Sequence, residues 1–456
     1  MRTISLLLSL WAALLIGPQA VPAESAGKPN LVFIMVDDMG RDWARCYGAR
    51  HETPNLDRLA AAGVRFTNAW CAPICTPTRV ELLTGQYPFR TGWTSHHDVP
   101  RWGGKGFDWD KFVSFARVLK GAGYRTAIGG KWQINDFRKH PDALERHGFD
   151  EHCVWTGYET GNPPSYKRYW DGYLMTNGKR ATHAYGPDVI NAFLIDFIKR
   201  HKDGPFLVYY PMMLVHGPHL PTPLTKDDPP QGKESLYAAN VTYMDRLVGR
   251  IVKTVDELGI ADNTVIMFTC DNGSSCAGVL GGKAYPNGKG QLADRGVHVP
   301  LIARAPGLTA GGRVCDDLVD FTDMLPTLAE LAGAQLPDGV TLDGRSFASS
   351  ITGKDSGAAK RAWIFSQVGG GRMVRDKRYL LNSKGGFYDL SEDPLQQRDL
   401  SQSSRPEHVA ARQRLARALE NLPPDGEPPF EGYRQKRDKR KGEAGRGKAR
   451  KKKKQN

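Results

Sequence analysis

The sequence predicts an α/β protein, and three observations carry that prediction. Short unbroken apolar runs alternate with longer amphipathic segments, as a sheet flanked by helices requires. Acidic and amide residues follow two of the runs directly, which is where open sheets of this class place their ligands. The chain of 456 residues, 40% hydrophobic and 25% charged, is long enough for one large domain and a smaller one.

Met1-Arg2-Thr3 precedes an apolar stretch from Ile4 to Ile16 and the small residues of Val21-Pro22-Ala23. This layout makes residues 1–23 a secretory signal whose apolar core is too short to span a membrane. Export to the periplasm or the extracellular space is therefore expected. Leu31–Val36 is an unbroken apolar run, read as a buried parallel strand. Thr53-Pro54 opens and Gly63 closes a helix over Asn55–Ala62. Phe112–Lys120 reads as a helix and Arg125–Ile128 as a short strand. Val189, Phe193, Leu194 and Phe197 share one face of a helix over Asp188–Lys202, and Phe206–Tyr210 is the strand after it. Ser235–Leu258 is long and amphipathic, and Thr264–Thr269 is again a buried strand.

The formal net charge of +14 is concentrated at one end. Tyr433–Asn456 holds +11 of it and Arg2 one more, which leaves the body at +2. Residues 429–456 are expected to form a disordered basic tail, either a solvated appendage or a tether to acidic polysaccharide or envelope lipid. Nucleic acid is a poor partner for an exported protein. Seven cysteines, an odd number, leave one thiol over; if Cys75 is consumed by chemistry, the other six can pair or stay free.

The chemistry centres on Cys75-Thr76-Pro77-Thr78-Arg79, with Leu83-Thr84-Gly85 behind it. Thr76 suits a helix cap, Pro77 the first helical position and Gly85 the stop. Cys75 then stands at the positive end of a helix with Arg79 one turn on, where a thiolate is favoured. A buried or disulfide-bonded cysteine fits the same pattern. Asp37-Asp38 follows the first strand, and Asp271-Asn272 follows Thr264–Thr269. Three carboxylates and an amide oxygen are hard ligands, suited to Ca2+ or Mg2+ rather than zinc. Singly such residues form turns and caps; at two strand ends around a nucleophile motif they make a candidate metal site.

The Cys-x-Pro-x-Arg pentapeptide with Leu-Thr-Gly behind it resembles the signature of the type I sulfatases. Asp37-Asp38-Met39-Gly40, Gly130-Lys131-Trp132, His216-Gly217-Pro218, Asp271-Asn272-Gly273 and Gly288-Lys289-Gly290 resemble further segments of that family, in the same order. The resemblance runs from about Lys28 to about Leu400. It implies an alkaline-phosphatase-like mixed sheet flanked by helices, with a catalytic domain over residues 24–345 and a smaller C-terminal α+β subdomain over residues 346–428. It also implies that a maturation enzyme oxidises Cys75 to formylglycine, the aldehyde whose hydrate is the nucleophile. By the same resemblance Asp37, Asp38, Asp271, Asn272 and an oxygen of residue 75 hold Ca2+, with Mg2+ the lesser choice. Arg79, Lys131 and Lys289 neutralise the sulfuryl oxygens, and His216 assists the leaving alcohol. The implied substrate is a sulfated carbohydrate, or an aryl sulfate.

One position departs from the family. Gln133 stands where a histidine follows Gly-Lys-Trp, and glutamine hydrogen-bonds without carrying a proton near neutral pH. His216, His219 or Asp38 is then left to serve as the base. Two other readings stay open: a phosphoester or phosphonate hydrolase of the same superfamily, and a sulfated-glycan-binding protein impaired by Gln133.

Overall fold

The computed structural model describes residues 27–157, 168–307, 310–354, 357 and 359–433. The expected signal segment and the chain beyond Tyr433 lie outside the described residues.

Every residue of β1 (Asn30–Val36) is buried, because a strand with partners on both sides and helices over both faces has no wet face. Each large apolar side chain so removed from water contributes about 1.5–3 kcal/mol before the entropy of ordering it is subtracted. The chain continues through α1 (Pro54–Ala61), β2 (Val64–Trp70) and α2 (Cys75–Thr84). As the sequence suggests, Gly85 ends α2 in the left-handed region, with φ of 66°. The start differs: the cap position is Ile74 and Cys75 is already helical, while the Thr76 hydroxyl is drawn away to the backbone of His97. The short helices α3 (Pro88–Thr91) and α4 (Val99–Trp102) lead to α5 (Phe115–Gly121). That helix begins at Phe115 rather than Phe112 because the Ser114 hydroxyl accepts from the Arg117 amide at 3.2 Å and caps it.

Next come β3 (Arg125–Lys131), α6 (Ala143–Arg146), β4 (Glu151–Trp155) and the pair β5 (Trp170–Thr176) and β6 (Lys179–Tyr185). α7 (Gly186–His201), β7 (Phe206–Pro211), α8 (Lys233–Glu257) and β8 (Thr264–Cys270) fall where the periodicity puts them. A hairpin of β9 (Gly278–Leu280) and β10 (Lys283–Tyr285) precedes α9 (Asp294–Val297), β11 (Leu301–Arg304), β12 (Arg313–Asp320), α10 (Met324–Leu331) and α11 (Ala348–Thr352). The last part holds β13 (Ile364–Val368), β14 (Gly371–Arg375), β15 (Tyr379–Asn382), β16 (Phe387–Asp389) and α12 (Pro406–Glu420).

Ten strands form one mixed sheet in the order β12-β2-β11-β8-β1-β7-β3-β4-β5-β6. The neighbours β8, β1, β7, β3 and β4 run parallel, so their C-terminal ends share one edge. β11 lies antiparallel to both β8 and β2, which turns β2 the same way and brings the loop before Cys75 to that edge. Val36 pairs with Cys270, so Asp37 and Asp271 leave adjacent strands side by side. Gly130 lets β3 press against β7: its φ is 132°, and a Cβ there would lie 2.0 Å from the Pro211 carbonyl oxygen.

The four strands β13-β14-β15-β16 make a separate antiparallel sheet, with α12 packed across β14 and β15. Residues 429–433, expected to belong to the tail, fold back instead, and Phe430 and Tyr433 are buried against the main core. All seven cysteines are free thiols, so none of the six beside Cys75 is paired. Among the described residues no helix is long and apolar enough to cross a membrane.

Candidate active site

The strand ends converge on Cys75. Its thiol sits at the first turn of α2, buried. Gln133 Oε1 lies 3.6 Å from Sγ and His96 Nδ1 lies 3.5 Å from it. Below it are the carboxylates. Arg79 is brought to the same place, but its guanidinium is turned onto them, 2.8 Å from Asp271 Oδ2 and 3.2 Å from Asp37 Oδ2, with Nη1 donating to the Lys131 carbonyl. Lys131 Nζ lies 2.6 Å from Asp37 Oδ2, and Lys289 Nζ lies 2.6 Å from Asp38 Oδ2. Lys131 is 2% exposed and Lys289 25%, so Lys289 faces the opening and Lys131 the floor.

His216, 22% exposed, stands beside Lys289 with Nε2 3.8 Å from Asp38 Oδ2. Its Nδ1 donates to the Gly217 carbonyl at 2.6 Å, which leaves Nε2 to face the site. His219 is further round, its ring edge-on to Tyr237 and its Nε2 3.9 Å from Cys276 Sγ. Asn272 Nδ2 donates to Asp38 Oδ1 at 2.9 Å, and the Asp38 amide donates to Asp271 Oδ1 at 3.1 Å. Asp38 and Gln133 both adopt positive φ, 66° and 71°, a strained choice for residues with a Cβ that recurs where a side chain must be aimed.

The charges are strongly interdependent. Burial alone would raise Asp37, but Lys131, Arg79 and Lys289 outweigh it and hold that carboxyl well below the usual range. Asp38 is raised by burial, which Lys289 opposes and Asp37 reinforces. Asp271 is raised well above the usual range by burial and then by Asp37, Arg79 notwithstanding. The local cations thus satisfy Asp37 but leave Asp38 and Asp271 short of positive charge. Burial and the charge of Arg168 push His216 well down, and burial with Lys131 lowers His96 to about 4, so both rings are neutral near pH 7.

The donor set fits a hard divalent cation. Asp37 Oδ1 and Asn272 Oδ1 are buried acceptors with no hydrogen-bond partner, and Asp37, Asp38 and His216 offer ligand atoms within 4.8 Å of one another. Sequence reasoning named Asp37, Asp38, Asp271, Asn272, Cys75, Lys131, Lys289, Arg79, Gln133 and His216, and the fold brings all of them together. It missed His96, whose one local signal is the histidine doublet His96-His97 in a loop without periodicity.

A mixed sheet flanked by helices, with a cysteine-bearing helix and buried carboxylates at its strand ends, defines an alkaline-phosphatase-like hydrolase. The sulfatase family profile matches residues 29–334. The chain belongs to the sulfatase family and is a sulfuric ester hydrolase. It is 30% identical to steryl-sulfatase of Mus musculus, over 79% of this chain and 71% of that protein. It is 33% identical to N-acetylgalactosamine-6-sulfatase of Homo sapiens, over 69% of this chain and 64% of that protein. The fold is similar to the crystal structure of Ps i-CgsB, with a TM-score of 0.75, 25% identity and coverage of 88% of this chain and 94% of that one. Ps i-CgsB has also been solved in complex with k-i-k-neocarrahexaose.

Proposed function

We propose that this chain is an exported carbohydrate sulfatase that depends on formylglycine at position 75 and on Ca2+. The observation that carries the reading is the placement of Cys75 at a helix N-terminus over buried carboxylates, two of whose neighbouring oxygens lack partners. The carbohydrate preference draws on the names of relatives, an N-acetylgalactosamine-6-sulfatase and a protein crystallised with a neocarrahexaose. The signal-like start of the sequence supports export.

Asp37, Asp38, Asp271 and Asn272 would hold Ca2+, which when bound supplies positive charge next to residue 75. Oxidation of Cys75 would supply an aldehyde whose hydrate offers an oxygen nucleophile in place of the thiol. Lys289, facing the opening, would receive the sulfuryl oxygens, and Lys131 would back it from the floor. Arg79 would act from behind, keeping Asp37 and Asp271 in register through its two ion pairs. With Nδ1 donating to Gly217, the bare Nε2 of His216 would first take up a proton and then pass it to the leaving oxygen. Gln133 would hold residue 75 by hydrogen bonding alone.

The reading is tested by comparing para-nitrophenyl sulfate with para-nitrophenyl phosphate. The matured enzyme is expected to favour the sulfate in kcat/KM by on the order of 100-fold, a difference of about 2.7 kcal/mol in transition-state binding. Preference for the phosphate would make it a phosphoester hydrolase, and tight binding of sulfated glycan without turnover of any ester would make it a binding protein.

A further inference from the structure

Among the described residues, residue 75 has two side chains at hydrogen-bond distance of its Sγ, Gln133 from the chain after β3 and His96 from the segment between α3 and α4. That second segment is fastened on several sides. Thr76 Oγ1 donates to the His97 carbonyl at 3.1 Å and accepts from the His97 amide at 3.2 Å, which ties it to the first turn of α2. On the far side the Tyr433 hydroxyl accepts from the Ser95 amide at 2.9 Å and donates to the Ser95 carbonyl at 2.7 Å. The His96 ring lies edge-on to Trp102 with centroids 5.1 Å apart, and the His97 ring edge-on to Phe430 at 4.8 Å. His96 is therefore set in position before any substrate arrives, and its Nδ1 also lies 3.1 Å from Thr76 Oγ1.

We propose that His96 is a positioning residue for the hydrolysis: the Nδ1 edge of its ring hydrogen-bonds the reacting side chain at position 75 and fixes the direction in which it attacks. The assignment rests on the formylglycine reading above. An aldehyde hydrate carries two hydroxyls on a carbon that turns freely about Cα–Cβ. Gln133 on one side and His96 on the other remove that freedom, and a hydrogen bond to the hydrate also favours it over the free aldehyde.

The test uses four matured full-length enzymes: wild type, His96→Asn, His96→Gln and His96→Ala. Asparagine keeps an amide atom near the place of Nδ1, whereas glutamine puts one near the place of Nε2. Glutamine and alanine are expected to lower kcat on the order of 100-fold, asparagine no more than about tenfold, with KM within about threefold throughout. The second readout is labelling of residue 75 by an aldehyde-reactive aminooxy probe, followed by peptide mass. Labelling is expected to be faster in the glutamine and alanine enzymes than in wild type and asparagine. Asparagine leaves more room than glutamine, so access alone would give the reverse order. If asparagine performs no better than alanine, or if all three variants match an active, converted wild type, the assignment to His96 is overturned and the sulfatase reading stands. A wild type that keeps Cys75 as a thiol and turns over no sulfate overturns the proposed function, and the His96 assignment with it.

Discussion

Cys75→Ala is expected to lower kcat for sulfate-ester hydrolysis by on the order of 10^4-fold or more, the size of loss seen when a nucleophile is removed and the surrounding binding groups remain. The effect should lie almost wholly in turnover. Alanine is the best helix former, the side chain removed is small, and the hydrogen bonds lost are those to His96 and Gln133. Stability should therefore change by no more than about 1–2 kcal/mol, as a urea melt would report. Lys131, Lys289 and the carboxylates keep their mutual ion pairs in the variant, so substrate binding should survive. Activity within tenfold of wild type would remove residue 75 from the mechanism.

Chelation is expected to have the second largest effect. EGTA should lower kcat by at least about 100-fold and lower the melting temperature, and added Ca2+ should restore both at lower concentration than Mg2+. The stability part follows from the site itself. Asp37, Asp38 and Asp271 are fully buried, burial and their mutual repulsion raise Asp38 and Asp271, and two nearby oxygens lack hydrogen bonds. An ion bound only by the folded chain, at about 100 times its Kd, stabilises it by about 2.7 kcal/mol. The melt is a readout separate from turnover: if both stay unchanged at a chelator concentration that strips Ca2+ from other proteins, the carboxylates serve Arg79 and the lysines alone.

Much of the architecture was legible because burial leaves a simple trace. β1 and β8 are buried on both faces and read as unbroken apolar runs, and α7 and α8 read as stripes of apolar residues at helical spacing. β2 was not legible, because Val64-Arg65-Phe66-Thr67-Asn68-Ala69-Trp70 mixes buried and half-exposed positions. β6 was hidden for a stronger reason: most of Lys179–Tyr185 is exposed, so hydrogen bonding to β5 rather than burial defines it. The metal candidates were visible from sequence since each pair follows a strand directly. That Arg79 would face Asp37 and Asp271 instead of the opening was not, because sequence spacing fixes which face of α2 it occupies but not what meets that face. His96 depends on contacts with Thr76 and on a loop clamped by Tyr433, 338 residues further along, and no local pattern encodes such a contact.

The most direct measurement is the mass of the tryptic peptide spanning Cys75, from protein purified from its own cell. The account predicts a peptide about 18 Da lighter than the cysteine form, the change expected when CH2SH becomes CHO. An unmodified thiol, in a cell where another sulfatase is converted, would contradict it.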